Sequence, residues 1–381
     1  MKKTYPKRVN PEPMITRFEE IFKSVGMKKP MFRNLLFVMI AIGVAKTFRI
    51  NEIASRLPVG VAREKSKQKR FLRLLETPLP IDALKAAWFV SVLRWFFKDA
   101  GDHLYLLIDE TDLIAGWKAL VVAIPFRHRA IPVFWFIYSD AQIRAGIYKS
   151  HNEIIRYFCG YVHQTVLGAM SQPPCPVLVF DRGFARAQYV IKFLKDRDIA
   201  FVMRVPRHVG IMLDGSTKKL DDLKGGWYPH ILYQVHQQIP LGLYILRDDA
   251  FKDPMYLISN RLCGHQIHHC YKRRMQIEHG FRDIKSCFGF GELVLKKPTQ
   301  ARLDVLWLAA CLSYGLLFMS YEKVASTHWQ KAHNSNNRKT FSVITIIKRV
   351  LTDLWNQHFL LSFFTEIHTS GDPLSQTLGT D

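Results

Sequence analysis

The chain has 381 residues, 48% of them hydrophobic and 13% aromatic, which suits two or three folded domains and excludes a disordered, low-hydrophobicity protein. Lys and Arg total 54 against 32 Asp and Glu, a formal charge of +22, so a polyanionic partner is expected: nucleic acid first, an anionic membrane surface second. The longest apolar run, Val305 to Met319, includes Ser313 and Gly315 and is too short for a bilayer span. The 6 cysteines show no framework spacing, which suits free thiols in a reducing cytosol.

In chain order, "MKKTYPKR" leads into polar sequence rather than an apolar signal region, and residues 1–100 read as helical. "RNLLFVMIAIGVAK" predicts a buried helix, and "INEIASRLP" a short one stopped by Pro58. "AREKSKQKRFLRLL" then gathers Arg63, Lys65, Lys67, Lys69, Arg70 and Arg73. The pair of helices reads either as a helix-turn-helix or as a bundle with a basic surface helix, and in both cases this face is expected to meet phosphates.

From about residue 103 the texture becomes β-rich. "HLYLLIDET" predicts a strand ending in acids, with strands over Lys118–Ile124 and Ile131–Tyr138 after it. Ser150 and Glu153 form a capping-box pattern opening a helix to about Met170. "CPVLVFDRG" is a buried strand, "FARAQYVIKFLKDRD" a helix and "IAFVMRV" a strand, an order that implies parallel pairing in an α/β sheet. Residues 206–255 predict a small β-rich insertion. "CGHQIHHC" offers Cys263, His265, His268 and Cys270 as zinc-type ligands at no standard spacing, or else a polar loop. A buried helix over Val305–Met319, a polar loop over Lys331–Lys339, a helix over about Phe341–Trp355 and a disordered tail complete the chain, with no internal repeat.

"YKRRMQIEHGFRDIK" sets one acid, Glu278, among cations. As a continuous helix it places Tyr271, Arg274, Glu278 and Lys285 on one polar stripe, beside an apolar stripe of Ile277, Phe281, Ile284 and Phe288. The stripe is either a solvated face of ion pairs or a metal-binding carboxylate whose neighbours grip an anion. Asp109 and Asp181 each end an apolar strand, where α/β sheets form ligand sites. Each acid alone has a plain reading: Asp109 shares "DETD" with Glu110 and Asp112, either of which could be the ligand instead; Asp181 could be a helix cap; Glu278 could belong to a surface pair. Together, three acids inside a strongly basic chain predict a site for two hard divalent cations acting on a phosphate, with Lys and Arg holding the rest of the strand.

Tyr271, Arg274, Glu278 and Lys285 match the pattern Y-x2-R-x3-E-x6-K, and "IDET" and "FDRGFA" resemble two aspartate motifs. From about residue 60 to 320 the chain thus resembles the Y-R-E-K group of DDE-superfamily bacterial insertion-sequence transposases, of the cut-and-paste type. The resemblance implies an α/β fold: an RNase H-like catalytic domain at 101–325 split by the 206–255 insertion, an all-α DNA-binding domain at 1–100, and a helical, dimerising C-terminal segment at 326–381. It implies two Mg²⁺ or Mn²⁺ ions held by Asp109, Asp181 and Glu278, with 3′-end nicking, a hairpin intermediate and strand transfer. It also implies that Tyr271, Arg274 and Lys285 grip DNA. Trp227, in the "GGW" of the insertion, is a candidate for stacking on a flipped base or else covers the insertion's own core. The partners implied are double-stranded transposon ends and target, and a second copy in a paired-end complex, in the bacterial cytoplasm at the nucleoid. No membrane and no small-molecule substrate are expected. A metal-dependent nuclease, or an inactive DNA-binding descendant, is the alternative.

Overall fold

The computed structural model describes residue 19 and residues 22–45, 47–57, 63–96, 103–169, 174–186, 189–248, 253–287 and 289–319. The helix expected over 341–355 and the loop over 331–339 lie outside these residues. In chain order the elements are α1 (Lys29–Ala45), α2 (Ile50–Ser55), α3 (Glu64–Glu76), α4 (Ile81–Phe96), then β1 (His103–Asp112), β2 (Trp117–Phe126) and β3 (Arg129–Ser139). There follow α5 (Asp140–Arg144), α6 (His151–Gly168), β4 (Cys175–Phe180), α7 (Val190–Asp196) and β5 (Ala200–Val205). Next come β6 (Gly210–Leu213), β7 (Ser216–Lys219), β8 (Gly226–Tyr233), β9 (Ile239–Leu246) and β10 (Met255–Ser259), and finally α8 (His265–Lys272), α9 (Met275–Arg282) and α10 (Gln300–Met319).

These elements form two compact units. Of the described residues, the helical unit takes those before Lys98, Leu113–Ala115 and those from Phe281 to Met319. Here α10 is apolar on every face, with Leu303, Leu306, Trp307, Ala310 and Tyr314 all buried, so it has to be the centre of its unit. It packs most heavily on α1. The buried Ser313 hydroxyl donates to the Met39 carbonyl, and Gly315 leaves room for the Trp88 ring: a Cβ there would lie 2.1 Å from a ring carbon. This grouping differs from the contiguous division expected at residue 100, because an all-round apolar helix is claimed by whichever elements can cover it, not by its sequence neighbours. No described helix is long and apolar enough to cross a membrane. In α3, Phe71, Leu74 and Leu75 are buried at helical spacing, which leaves the basic residues to the other face.

The second unit is built on one 10-stranded sheet of order β3-β2-β1-β4-β5-β10-β9-β8-β6-β7. β1, β4 and β5 run parallel, as the strand-helix-strand order predicts; the remaining pairings are antiparallel. Central strands buried on both faces account for the unbroken apolar runs of β2 and β4. α6 opens on Ser150, whose Oγ accepts from the Glu153 amide at 3.2 Å, while Glu153 reaches back to the amide of Lys149 rather than that of Ser150. The β-rich stretch after residue 206 does not stand apart. β10 pairs with β5, and β9, β8, β6 and β7 extend the same sheet outward. Its last hairpin turns on Asp214 and Gly215, both at positive φ (51° and 74°), the two-residue turn that suits a right-twisted ribbon.

Two local expectations are corrected. Residues 265–272 are helix, not loop. The stretch from Tyr271 to Lys285 is not one helix: α8 ends at Lys272, α9 begins at Met275, and Asp283–Cys287 is a π-helical turn. At the joint, the Arg273 and Arg274 amides donate to the carbonyls of Cys270 and Tyr271, and Gln276 to that of Arg273, a pinched three-residue spacing. The pinch falls on Arg274, whose side chain is buried.

Candidate active site

Pairing of β1 with β4 ends at Ile108 beside Phe180, so the residues that follow, Asp109 near the end of β1 and Asp181 just past the end of β4, stand side by side toward the carboxyl ends of two adjacent parallel strands. Strand alternation separates the acids within "DETD". Asp109 points to one face, and Glu110 and Asp112 to the other. Glu110 accepts from Tyr138 Oη, stands 2.6 Å from His151 Nε2, and pairs with Lys118 Nζ at 3.7 Å.

α8 and α9 bring three further residues to Asp109 and Asp181. Tyr271 Oη donates to Asp181 Oδ1 at 3.1 Å. Arg274 Nη2 donates to Asp109 Oδ2 at 3.0 Å and lies 3.5 Å from Asp181 Oδ2, while its Nη1 donates to Glu278 Oε1. One guanidinium therefore touches all three acids that the sequence singles out. Side-chain exposure grades across the group, from 7% at Arg274 and 17% at Asp109 to 36% at Asp181 and 41% at Glu278, so the site is closed around Arg274 and open toward Glu278. Arg274 Nε is buried with no hydrogen-bond partner, a lapse that costs about 1–3 kcal/mol and marks the arrangement as less than fully satisfied.

Burial pushes the Asp109 carboxyl up to about 6, against the pull of Arg274 and the Glu110 amide, with Asp181 and Glu278 adding to the rise. Burial also works against the charge on Arg274, but Asp109, Asp181 and the bond to Glu278 outweigh it and hold the guanidinium above its ordinary value. Burial and the neighbouring Asp181 raise the Tyr271 phenol, which stays a donor. The donor set is three carboxylates, the chemistry of hard divalent cations. As they stand, no three His, Cys, Asp or Glu side chains among the described residues are spaced to hold a metal ion. At this site Arg274 spans the acids instead. Cys263, His265, His268 and Cys270 do not form a ligand group either: Cys270 is buried in α8, and His265 Nδ1 lies 3.1 Å from Tyr244 Oη.

The other expected contacts lie elsewhere. Lys285 sits half-buried in the π-helical turn, which belongs to the helical unit. The Trp227 ring lies across Gly242 of β9, where a Cβ would come within 2.2 Å of it; this supports its reading as cover for its own sheet. Arg63, just before α3, and Lys69 and Arg73 on it are exposed, whereas Lys67 is tied to Glu64 and the Ser55 carbonyl, and Arg70 to Asn34 and the face of Phe37. The central place of Arg274 goes beyond the phosphate grip expected of it. The sequence signal for its contact with an acid is the four-residue spacing to Glu278, which many surface pairs share.

Residues 163–314 match the family model of the transposase DDE domain. The matched stretch contains Asp181, Tyr271, Arg274, Glu278 and Lys285 and begins beyond Asp109. A comparison with curated proteins found no match.

Proposed function

We propose, from the match of residues 163–314 to the transposase DDE domain, that this chain is a transposase of the DDE superfamily, an enzyme that acts on DNA, and that it excises and inserts an insertion-sequence element by phosphoryl transfer at a two-metal site held by Asp109, Asp181 and Glu278. The observation that carries this reading is the meeting of those three acids, from β1, the end of β4 and α9, on a single guanidinium. β1 to β5 form the RNase H-like core, and β6 to β9 form its insertion. Members of this family use divalent metal ions, here Mg²⁺ or Mn²⁺, which would activate the attacking oxygen and stabilise the leaving one.

The chain's own residues bind and orient the DNA. Asp109 and Asp181 are fixed by the register of two strands, so their oxygens are set before substrate arrives. Tyr271 holds Asp181 by its hydroxyl, and the exposed Arg63, just before α3, and Lys69 and Arg73 on it bind backbone phosphates, as the charge of +22 favours. Arg274 grips a phosphate near the cut, and Lys285 is a further DNA contact. Two copies pair the transposon ends at the nucleoid. Water cleaves the phosphodiester bond at the element's 3′ end, the freed 3′ hydroxyl attacks the opposite strand to close a hairpin and release the flanking DNA, a second water reopens the hairpin and restores the 3′ hydroxyl, and that hydroxyl attacks a target phosphodiester, joining the strands as the target's own 3′ hydroxyl leaves.

The test is cleavage of end-containing DNA in Mg²⁺ by Asp109→Asn, Asp181→Asn and Glu278→Gln. Each is expected to abolish cleavage while DNA binding persists, since these swaps remove charge and keep shape. Cleavage surviving in any of them would remove that residue from the site.

A further inference from the structure

We propose that Arg274 is an exchangeable counter-ion: its guanidinium binds Asp109, Asp181 and Glu278 together until a divalent cation enters, competes with that cation for the same oxygens, and withdraws as it binds. The inference rests on the metal-site reading above and adds a regulating residue to it.

Four observations carry it. The guanidinium reaches a carboxylate oxygen of every acid in the group, so cation and guanidinium cannot both have them. With Arg274 in place, no three acidic or histidine side chains among the described residues are spaced as metal ligands. Three carboxylates face one arginine, so ionised together they leave a surplus of negative charge that a doubly charged ion answers better. Finally, Arg274 is almost wholly buried yet its Nε–H has no acceptor, and it stands at the pinched joint between α8 and α9.

Exchange gives the site an order of events. Metal loading frees the guanidinium for a phosphate oxygen, so the grip on DNA near the cut tightens once the ion is in place. By linkage, DNA that engages Arg274 must strengthen metal binding by the same factor.

The experiment is calorimetric titration of Mn²⁺ into the full-length, DNA-free protein, with melting temperature as a second readout. Arg274→Gln is expected to bind Mn²⁺ about tenfold more tightly or better than the native chain, since a competing positive charge is gone. It should also melt lower without the ion and gain more from it. Arg274→Lys, which keeps the charge but cannot span three acids, is expected to tighten binding by about threefold. If Arg274→Gln does not fold, Arg274→Lys decides. Affinity that is unchanged or weaker in these variants, while Asp181→Asn abolishes the same Mn²⁺ site, would overturn the exchange and leave the metal site standing. Mn²⁺ binding that is indifferent to Asp181→Asn would bring down the metal-site reading and the exchange with it.

Discussion

Asp109 and Glu110 are neighbours in the chain and strangers in the fold. Asp109 faces a buried arginine and two other acids, and its carboxyl is pushed up to about 6 by burial. Glu110, one pleat away, is also partly buried, but the bonds from His151 and Tyr138 and the charge of Lys118 outweigh that and hold it below its ordinary value. The difference teaches that the motif does not set the chemistry of either acid. The face of the strand does, because it decides whether an acid meets other acids or meets donors.

The largest expected contrast is in cleavage rate. Asp109→Asn should lose on the order of 10³-fold or more, whereas Glu110→Gln should stay within about threefold of native, as measured by turnover of end-containing DNA in Mg²⁺. Comparable losses in the two variants would erase the distinction between the faces. The two tyrosines sharpen it further. Tyr271→Phe removes the donor to Asp181 and should slow cleavage about tenfold with little change in melting. Tyr138→Phe removes a donor to Glu110 and should lower stability by about 1 kcal/mol in denaturant titrations with cleavage unaffected. A tyrosine pair that behaved the other way round would place the working acid on the wrong face. The smallest effect lies away from both acids. Neutralising Lys69 and Arg73 together should flatten the log–log salt dependence of DNA binding by about 0.9 for each phosphate no longer neutralised, leaving turnover at saturating DNA unchanged. An unaltered slope would take α3 out of the interface.

Much of the sheet is legible in the sequence because its signals are local. An apolar run ending in an acid announces β1 and β4, and their parallel pairing brings the two acids together without help from elsewhere. The joint within "YKRRMQIEHG" is not legible. Periodicity predicts a straight helix and carries no trace of a side chain pulled toward Asp109, which lies 165 positions earlier in the chain. The partner of α10 is equally hidden: Gly315 reads as an interruption of an apolar run until the Trp88 ring is seen resting on it. The stretch over 206–255 is recognisable as β-rich, but its continuity with the main sheet depends on β10 returning beside β5, a long-range choice that alternation of side chains does not encode.

The hairpin at Asp214–Gly215 has a practical consequence. It joins the last two strands of the sheet, and β7 ends the order with Lys218 and Lys219, charges that discourage a foreign strand from annealing there. A tight polar tip on a guarded rim is a natural splice point. A fluorophore-bearing or affinity peptide grafted between Asp214 and Gly215 should be carried as a handle by the folded chain, offering a way to count how many copies gather on one piece of DNA.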